Sequence, residues 1–144
     1  MMETYIVDAS VGAKWFFKEE NDQAAHYLLD RLEHRNVRLV VPDFFYIEIG
    51  NICWKRLQKR ELNDSVALAL VNRMASFPLV RYPDGELSDV AFENAIHYGI
   101  SVYDAVYLSL AEIHLAPLIT ADDVLIKACK NRFDFILPLK EVRV

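Results

Sequence analysis

Short apolar runs alternate with amphipathic stretches along the whole chain, and that alternation limits the folds open to it. The runs fall at residues 4–7 (TYIV), 38–41 (RLVV), 79–81 (LVR), 117–120 (PLIT) and 133–137 (FDFIL). Each is short, rich in branched or aromatic residues, and reads as a strand. Between them the spacing predicts helices over 10–17, 22–34, 43–60, 64–77, 87–98, 102–115 and 122–130. The second shows the pattern plainly, with Ala24, Ala25, Leu28, Leu29 and Leu32 on one stripe. Ser10, Asn21 or Asp22, and Asn63 or Asp64 are expected to cap helices. Strands joined through helices imply βαβ units and an α/β fold, a mostly parallel central sheet flanked by helices. Sites in such sheets lie beyond the carboxyl ends of the strands.

At 144 residues the chain is expected to form one domain over 1–144. With 53% hydrophobic residues it can fill a core, which excludes global disorder. Sixteen Lys and Arg against twenty-one Asp and Glu give a net charge of −5. Any nucleic-acid contact must therefore rest on a local basic patch. Cys53 and Cys129 make no disulfide framework and read as thiols of a reducing compartment. No run is long and apolar enough for a membrane span, and the N-terminus has no basic region leading into an apolar core. A cytoplasmic location without a membrane partner is the expectation.

The first polar residues after the strands include several acids. Asp8 follows TYIV; Thr120, Asp122 and Asp123 close or follow PLIT. Glu48 sits in mid-helix within FFYIEIGNICW, and Asp104 lies in SVYDAVYLSLA. Singly, most have an ordinary explanation. Asp8 can cap the first helix, and Ser101-x-x-Asp104 and Thr120-x-x-Asp123 match a capping box. Glu48 has no such explanation, because three of its four neighbours one turn away are apolar.

Together the acids require a joint account. Carboxylates gathered in one cleft repel, and a hard divalent cation is the ordinary remedy. Mg²⁺ or Mn²⁺ takes oxygen ligands and can assist phosphodiester hydrolysis without a histidine. His26, His34, His97 and His114 show no metal-ligand spacing, and phosphate-loop, dinucleotide and nucleophile-elbow motifs are missing.

At these residues the chain resembles the PIN-domain ribonucleases, and among them the VapC-type toxins of toxin–antitoxin operons. YIVDASV, PDFFYIEIGN, YGISVYDAVYLSLA and LITADDVL carry the resemblance, in the family's order, over residues 5–125. The resemblance implies a catalytic set of Asp8, Glu48, Asp104 and Asp122, with Asp8, Asp104 and Asp122 on the metal. Ser10, Asn51 and Thr120 are the implied supporting polar residues, and Asp123 stands where some relatives carry a further acid. It further implies a Mg²⁺- or Mn²⁺-dependent endoribonuclease, a homodimer, an RNA substrate and a cognate antitoxin that blocks the acidic groove.

Helix geometry separates the two neighbouring acids. With Thr120 as cap, Asp123 falls at the third helical position and turns back toward it, leaving Asp122 free for the cleft. Lys14, Lys18, Lys127, Lys130 and Arg132 could steer an RNA backbone past the acids. Lys55, Arg56, Lys59 and Arg60 read as a solvated helix end. Tyr103, Tyr107 and Trp54 read as core aromatics. Of the consecutive Trp15, Phe16 and Phe17, at least one is expected to be exposed or to meet a partner, since a helix buries one face.

Three other functions compete. One is a PIN-type nuclease acting in RNA maturation or on structured DNA. Another is a non-enzymatic binding module whose acids only cap helices. The third is a phosphoacceptor receiver, which Glu48 in mid-helix does not fit.

Overall fold

A computed structural model describes residues 2–144. Five strands form one sheet: β1 (Glu3–Val7), β2 (Val37–Pro42), β3 (Val80–Tyr82), β4 (Leu118–Thr120) and β5 (Ile136–Pro138). Their order is β3-β2-β1-β4-β5, and every pairing is parallel. The α/β expectation holds. The chain winds outward from β1 first to one side and then to the other. The switch in direction therefore falls between β1 and β4, where a crevice opens beyond the strand ends.

Seven α-helices cover the faces: α1 (Ala9–Gly12), α2 (Asp22–Glu33), α3 (Phe45–Gln58), α4 (Asp64–Ser76), α5 (Ser88–Tyr98), α6 (Val102–His114) and α7 (Asp123–Cys129). Successive strand residues point to opposite faces, so each central strand feeds two cores. Val7, Leu39, Val41 and Ile119 pack with α1, α2 and α3 residues on one face. Ile6, Val40 and Leu118 pack with Ala105, Leu108 and Leu125 of α6 and α7 on the other. Each such buried side chain contributes roughly 1.5–3 kcal/mol. No helix among the described residues is long and apolar enough to cross a membrane.

Gly12 sets the position of α3. A Cβ there would lie 2.8 Å from Phe45 Cζ and 3.1 Å from Ile49 Cδ1. Those two residues flank Glu48 on α3, so the missing side chain lets α1 seat the helix that carries an acid of the cleft.

The aromatic run departs from the expectation of one continuous helix. The α-helix stops at Gly12, a 3₁₀ turn spans Ala13–Trp15, and Phe16 ends it. That change of path lets Trp15 and Phe17 both be buried, with Phe16 half-buried. Trp15 and Phe16 pack against Phe77 with centroids 5.8 and 5.9 Å apart, and Trp15 Nε1 donates to the Ala25 carbonyl at 2.9 Å. None of the three stands exposed. The last strand also begins later than expected, because Phe133 is buried in the core under α7 instead of pairing in the sheet.

Candidate active site

Asp8 ends β1 at the switch point and is only 6% exposed. Its Oδ1 accepts from Ser10 Oγ at 2.5 Å and from the backbone N–H groups of Ser10 at 3.1 Å and Val11 at 3.3 Å. Its Oδ2 accepts from the Thr120 hydroxyl. Asp8 thus caps α1, and Thr120 fastens it to β4. Ser10 Oγ also accepts from the Ala121 N–H at 2.9 Å, and Thr120 Oγ1 accepts from the Asp122 N–H at 3.1 Å. The two strand ends at the crevice are stitched together through these hydroxyls.

Burial pushes the Asp8 carboxyl up to about 6; the bonds from Ser10, Thr120 and Val11 oppose the shift, and the charge of Asp104 adds to it.

Glu48 reaches the cleft from α3. Its Oε1 accepts the Tyr107 hydroxyl at 2.5 Å. Burial raises its carboxyl to about 7; the Tyr107 bond works against this, and Asp8 and Asp104 reinforce it. Tyr107 is fully buried, and Phe44 packs edge-on against it at 5.6 Å. The Phe44 N–H in turn donates to Asp84 Oδ2 at 2.8 Å, which pins the entry to α3. α3 begins at Phe45, so Glu48 lies in its first turn and not in mid-helix as expected; Tyr107 holds this acid, a role its core reading missed. The available signal was its place on α6 one turn after Asp104.

Asp104 stands in the first turn of α6, where its N–H donates to the Ser101 hydroxyl at 3.1 Å. Burial and the charge of Asp122 raise its carboxyl, with Ser101 opposing. Asp8, Glu48, Asp104 and Asp122 are therefore linked in one electrostatic group. No lysine or arginine is among the charges acting on Glu48 or Asp104.

The cap of α7 is a correction. Asp122, not Thr120, is the N-cap, and its Oδ1 accepts from the N–H groups of Val124 at 3.0 Å and Leu125 at 3.3 Å. Because α7 begins at Asp123, Thr120 stands too early to cap it, and its oxygen accepts from the Asp122 N–H before the helix. Asp123 is the first helical residue and is exposed.

The other expected residues divide. Ser10 and Thr120 belong to the Asp8 network, whereas Asn51 is exposed further along α3. Lys18, Lys127 and Lys130 are exposed, but Lys14 is buried and paired with Glu19 at 3.2 Å. Arg132 donates to the His97 carbonyl and lies over Tyr98 at 5.0 Å, which ties it to α5. Arg56 is no simple solvated end. It pairs with Glu19 at 2.7 Å and Glu61 at 3.3 Å and covers the Phe17 ring at 4.0 Å. Tyr103 and Trp54, expected in the core, are 65% and 55% exposed. Tyr103 instead packs edge-on against Phe44 at 5.4 Å, on the outer side of the Tyr107 contact.

The donor set is entirely oxygen, and burial, reinforced by mutual repulsion, holds the Asp8, Glu48 and Asp104 carboxyls high, which fits a hard divalent cation. Among the described residues no three acidic, His or Cys side chains form a closed cage. An ion that needs one or two carboxylates and keeps its waters is compatible with so open a set.

The family model of the PIN domain matches residues 5–131. Ribonuclease VapC3 of Pyrobaculum aerophilum is 29% identical over 119 residues, which are 81% of this chain and 88% of that protein. The crystal structure of PAE2754 from Pyrobaculum aerophilum superposes with a TM-score of 0.71 at 26% identity, covering 97% of this chain and 93% of that one. A toxin–antitoxin complex from Klebsiella pneumoniae shares the fold, with a TM-score of 0.64 at 15% identity over 94% and 97% of the two chains. The chain belongs to the PIN domain family, with its likeness on the VapC side.

Proposed function

We propose that this protein is a toxin-type endoribonuclease that hydrolyses RNA phosphodiester bonds at the cluster of Asp8, Glu48, Asp104 and Asp122. The observation that carries the reading is the meeting of these four acids, from four separate elements, at the switch point of the sheet. The ribonuclease name of the VapC3 relative supports the substrate class. Asp8, Asp104 and Asp122 would hold Mg²⁺ or Mn²⁺. When bound, such an ion neutralises the phosphodiester and makes water a better nucleophile at neutral pH.

The chain's own residues have distinct tasks. Ser10 and Thr120 fix the Asp8 carboxylate so that it does not rotate when the charge balance changes. Tyr107 holds Oε1 of Glu48, which leaves Oε2 to take or return a proton at the cleft. Asp122 keeps Oδ2 available while Oδ1 caps α7. A helix-capping module is the weaker reading. Asp8 and Asp122 do cap helices, but the carboxylates of Glu48 and Asp104 cap nothing.

An antitoxin partner draws support from the Klebsiella pneumoniae complex. The apolar strip of Trp54, Leu57, Leu68 and Val71 between α3 and α4 suits a helix of such a partner better than the buried run at Trp15–Phe17. Exposed Phe92 and Ile96, one turn apart on α5, offer an apolar face for a homodimer contact. The cytoplasm, where RNA and antitoxin are met, is the fitting location.

The test is cleavage of RNA by purified protein. Mg²⁺ or Mn²⁺ should support it, and EDTA or Asp8→Asn should stop it. Cleavage that survives both would overturn the proposal.

A further inference from the structure

Beside the acid cluster, toward β5, lies a separate pocket of about 140 Å³. Thr120 is its boundary with the cluster, since the same residue that donates to Asp8 also lines the pocket. One part of the lining is apolar, from Ile126 of α7 and Leu139 after β5. The rest carries groups of both signs, with Lys14 and Lys140 as donors, Glu20 and Asp123 as acceptors and the Asn21 amide able to do either. Lys14 is the informative member. Its side chain is 10% exposed, yet the structure gives its three-donor ammonium one acceptor, Glu19 Oε1 at 3.2 Å. A buried cation with donors to spare favours a polar ligand against it.

The mixture of groups selects the ligand class. A phosphate needs donors alone, and Asp123 would repel it. A metal ion needs acceptors alone, and two lysines would repel it. A nucleobase has apolar faces and an edge bearing both donors and acceptors, which this lining matches. We infer that the pocket seats a nucleobase adjacent to the phosphodiester held at the acid cluster, and that Lys14, Asp123 and Lys140 read its edge. The inference rests on the ribonuclease reading and adds to it a place where sequence preference arises.

The test maps cut sites in a random RNA pool with Mg²⁺ or Mn²⁺ for the wild type, Lys140→Ala, Asp123→Asn and Lys14→Met. Lys140 and Asp123 are exposed, so the first two variants keep the result independent of any folding defect in the third. The wild type should prefer one base at one position beside the cut. Both surface variants should weaken that preference by about tenfold, the scale of a lost edge contact, and leave other positions alone. An abasic nucleotide at that position should slow the wild type and affect the variants far less. A wild type that cuts but tolerates abasic nucleotides on both sides of the cut, or variants that keep the wild-type preference, would overturn the subsite alone. A wild type that leaves the whole pool intact would bring down the ribonuclease reading and the subsite with it.

Discussion

The two walls of the cleft are built differently. On the β1 side, Asp8 is buried and both its oxygens are bonded, to two side-chain hydroxyls and two backbone N–H groups. On the helical side, Asp104 and Asp122 are half-buried and sit at helix starts, and only one Asp122 oxygen is committed to backbone donors. One wall is a fixed anchor that belongs to the fold. The other is a pair of arms that can adjust to whatever enters. On the ribonuclease reading, which asks the site to seat a cation and a flexible polymer, one of each is an advantage.

The largest expected effect tests that contrast. Asp8→Ala and Asp104→Ala should each lower single-turnover RNA cleavage at least about a hundredfold, as loss of a charge-stabilising group does. Their stabilities should differ. Asp8→Ala strands the buried donors of Thr120 and Val11 and should cost about 1–3 kcal/mol in urea melts. Asp104→Ala removes a repelled charge and should leave metal-free stability unchanged or raised. Equal destabilisation by both would erase the difference between the walls.

Next comes pH. The Asp8 carboxyl rises from an ordinary 3.8 to about 6 in the fold, and that of Glu48 from 4.5 to about 7. Groups raised in this way bind protons more tightly in the folded state. Their contribution is therefore full below about pH 4 and is lost as pH climbs through 6 and 7. In EDTA, stability should fall between about pH 4 and pH 8, by on the order of 2 kcal/mol from Asp8. Asp8→Asn should flatten that fall, and Mg²⁺ should reverse it in the wild type by binding the ionised form. Metal-free protein that gains stability over this range would contradict the assignment.

A smaller effect lies outside the carboxylates. Gly12→Ala brings a methyl group into Phe45 and Ile49, and should cost about 1–3 kcal/mol as overpacking does. Because α3 must shift, the Glu48 side of the cleft should suffer while the Asp8 network holds. The expected signature is loss of cleavage greater than the drop in melting temperature would explain. Gly12→Ala with wild-type activity would separate α1 packing from the position of Glu48.

What could be read from the sequence follows the range of the interactions. The alternation of strand and helix is local, so the parallel sheet was legible, as were Asp8 at a strand end and Glu48 as an acid among apolar neighbours, although its place in the first turn of α3 was not. The family resemblance supplied the grouping of the four acids. Thr120-x-x-Asp123 has capping-box spacing, but α7 starts at Asp123 and Asp122 caps it, while the Thr120 hydroxyl donates to Asp8, 112 positions away. Lys14 looked like a surface cation because nothing near it announces burial. Its cover comes from Glu19, which Arg56 of α3 also holds. Trp15, Phe16 and Phe17 broke the one-face rule because the helix breaks beneath them.

The stitch between Asp8 and Thr120 also bears on how the protein folds. The hydroxyl that locks the aspartate after β1 lies 112 positions further along the chain, and the Ala121 N–H that locks Ser10 lies 111 positions beyond it. The central strand pairs with β4 across the same gap. Closing so long a loop is slow and waits on the distant segment. A chain that has not yet brought residue 120 to β1 has an untethered Asp8 and an Asp122 far from it, so under the ribonuclease reading the cleavage site forms only once β1 and β4 have paired.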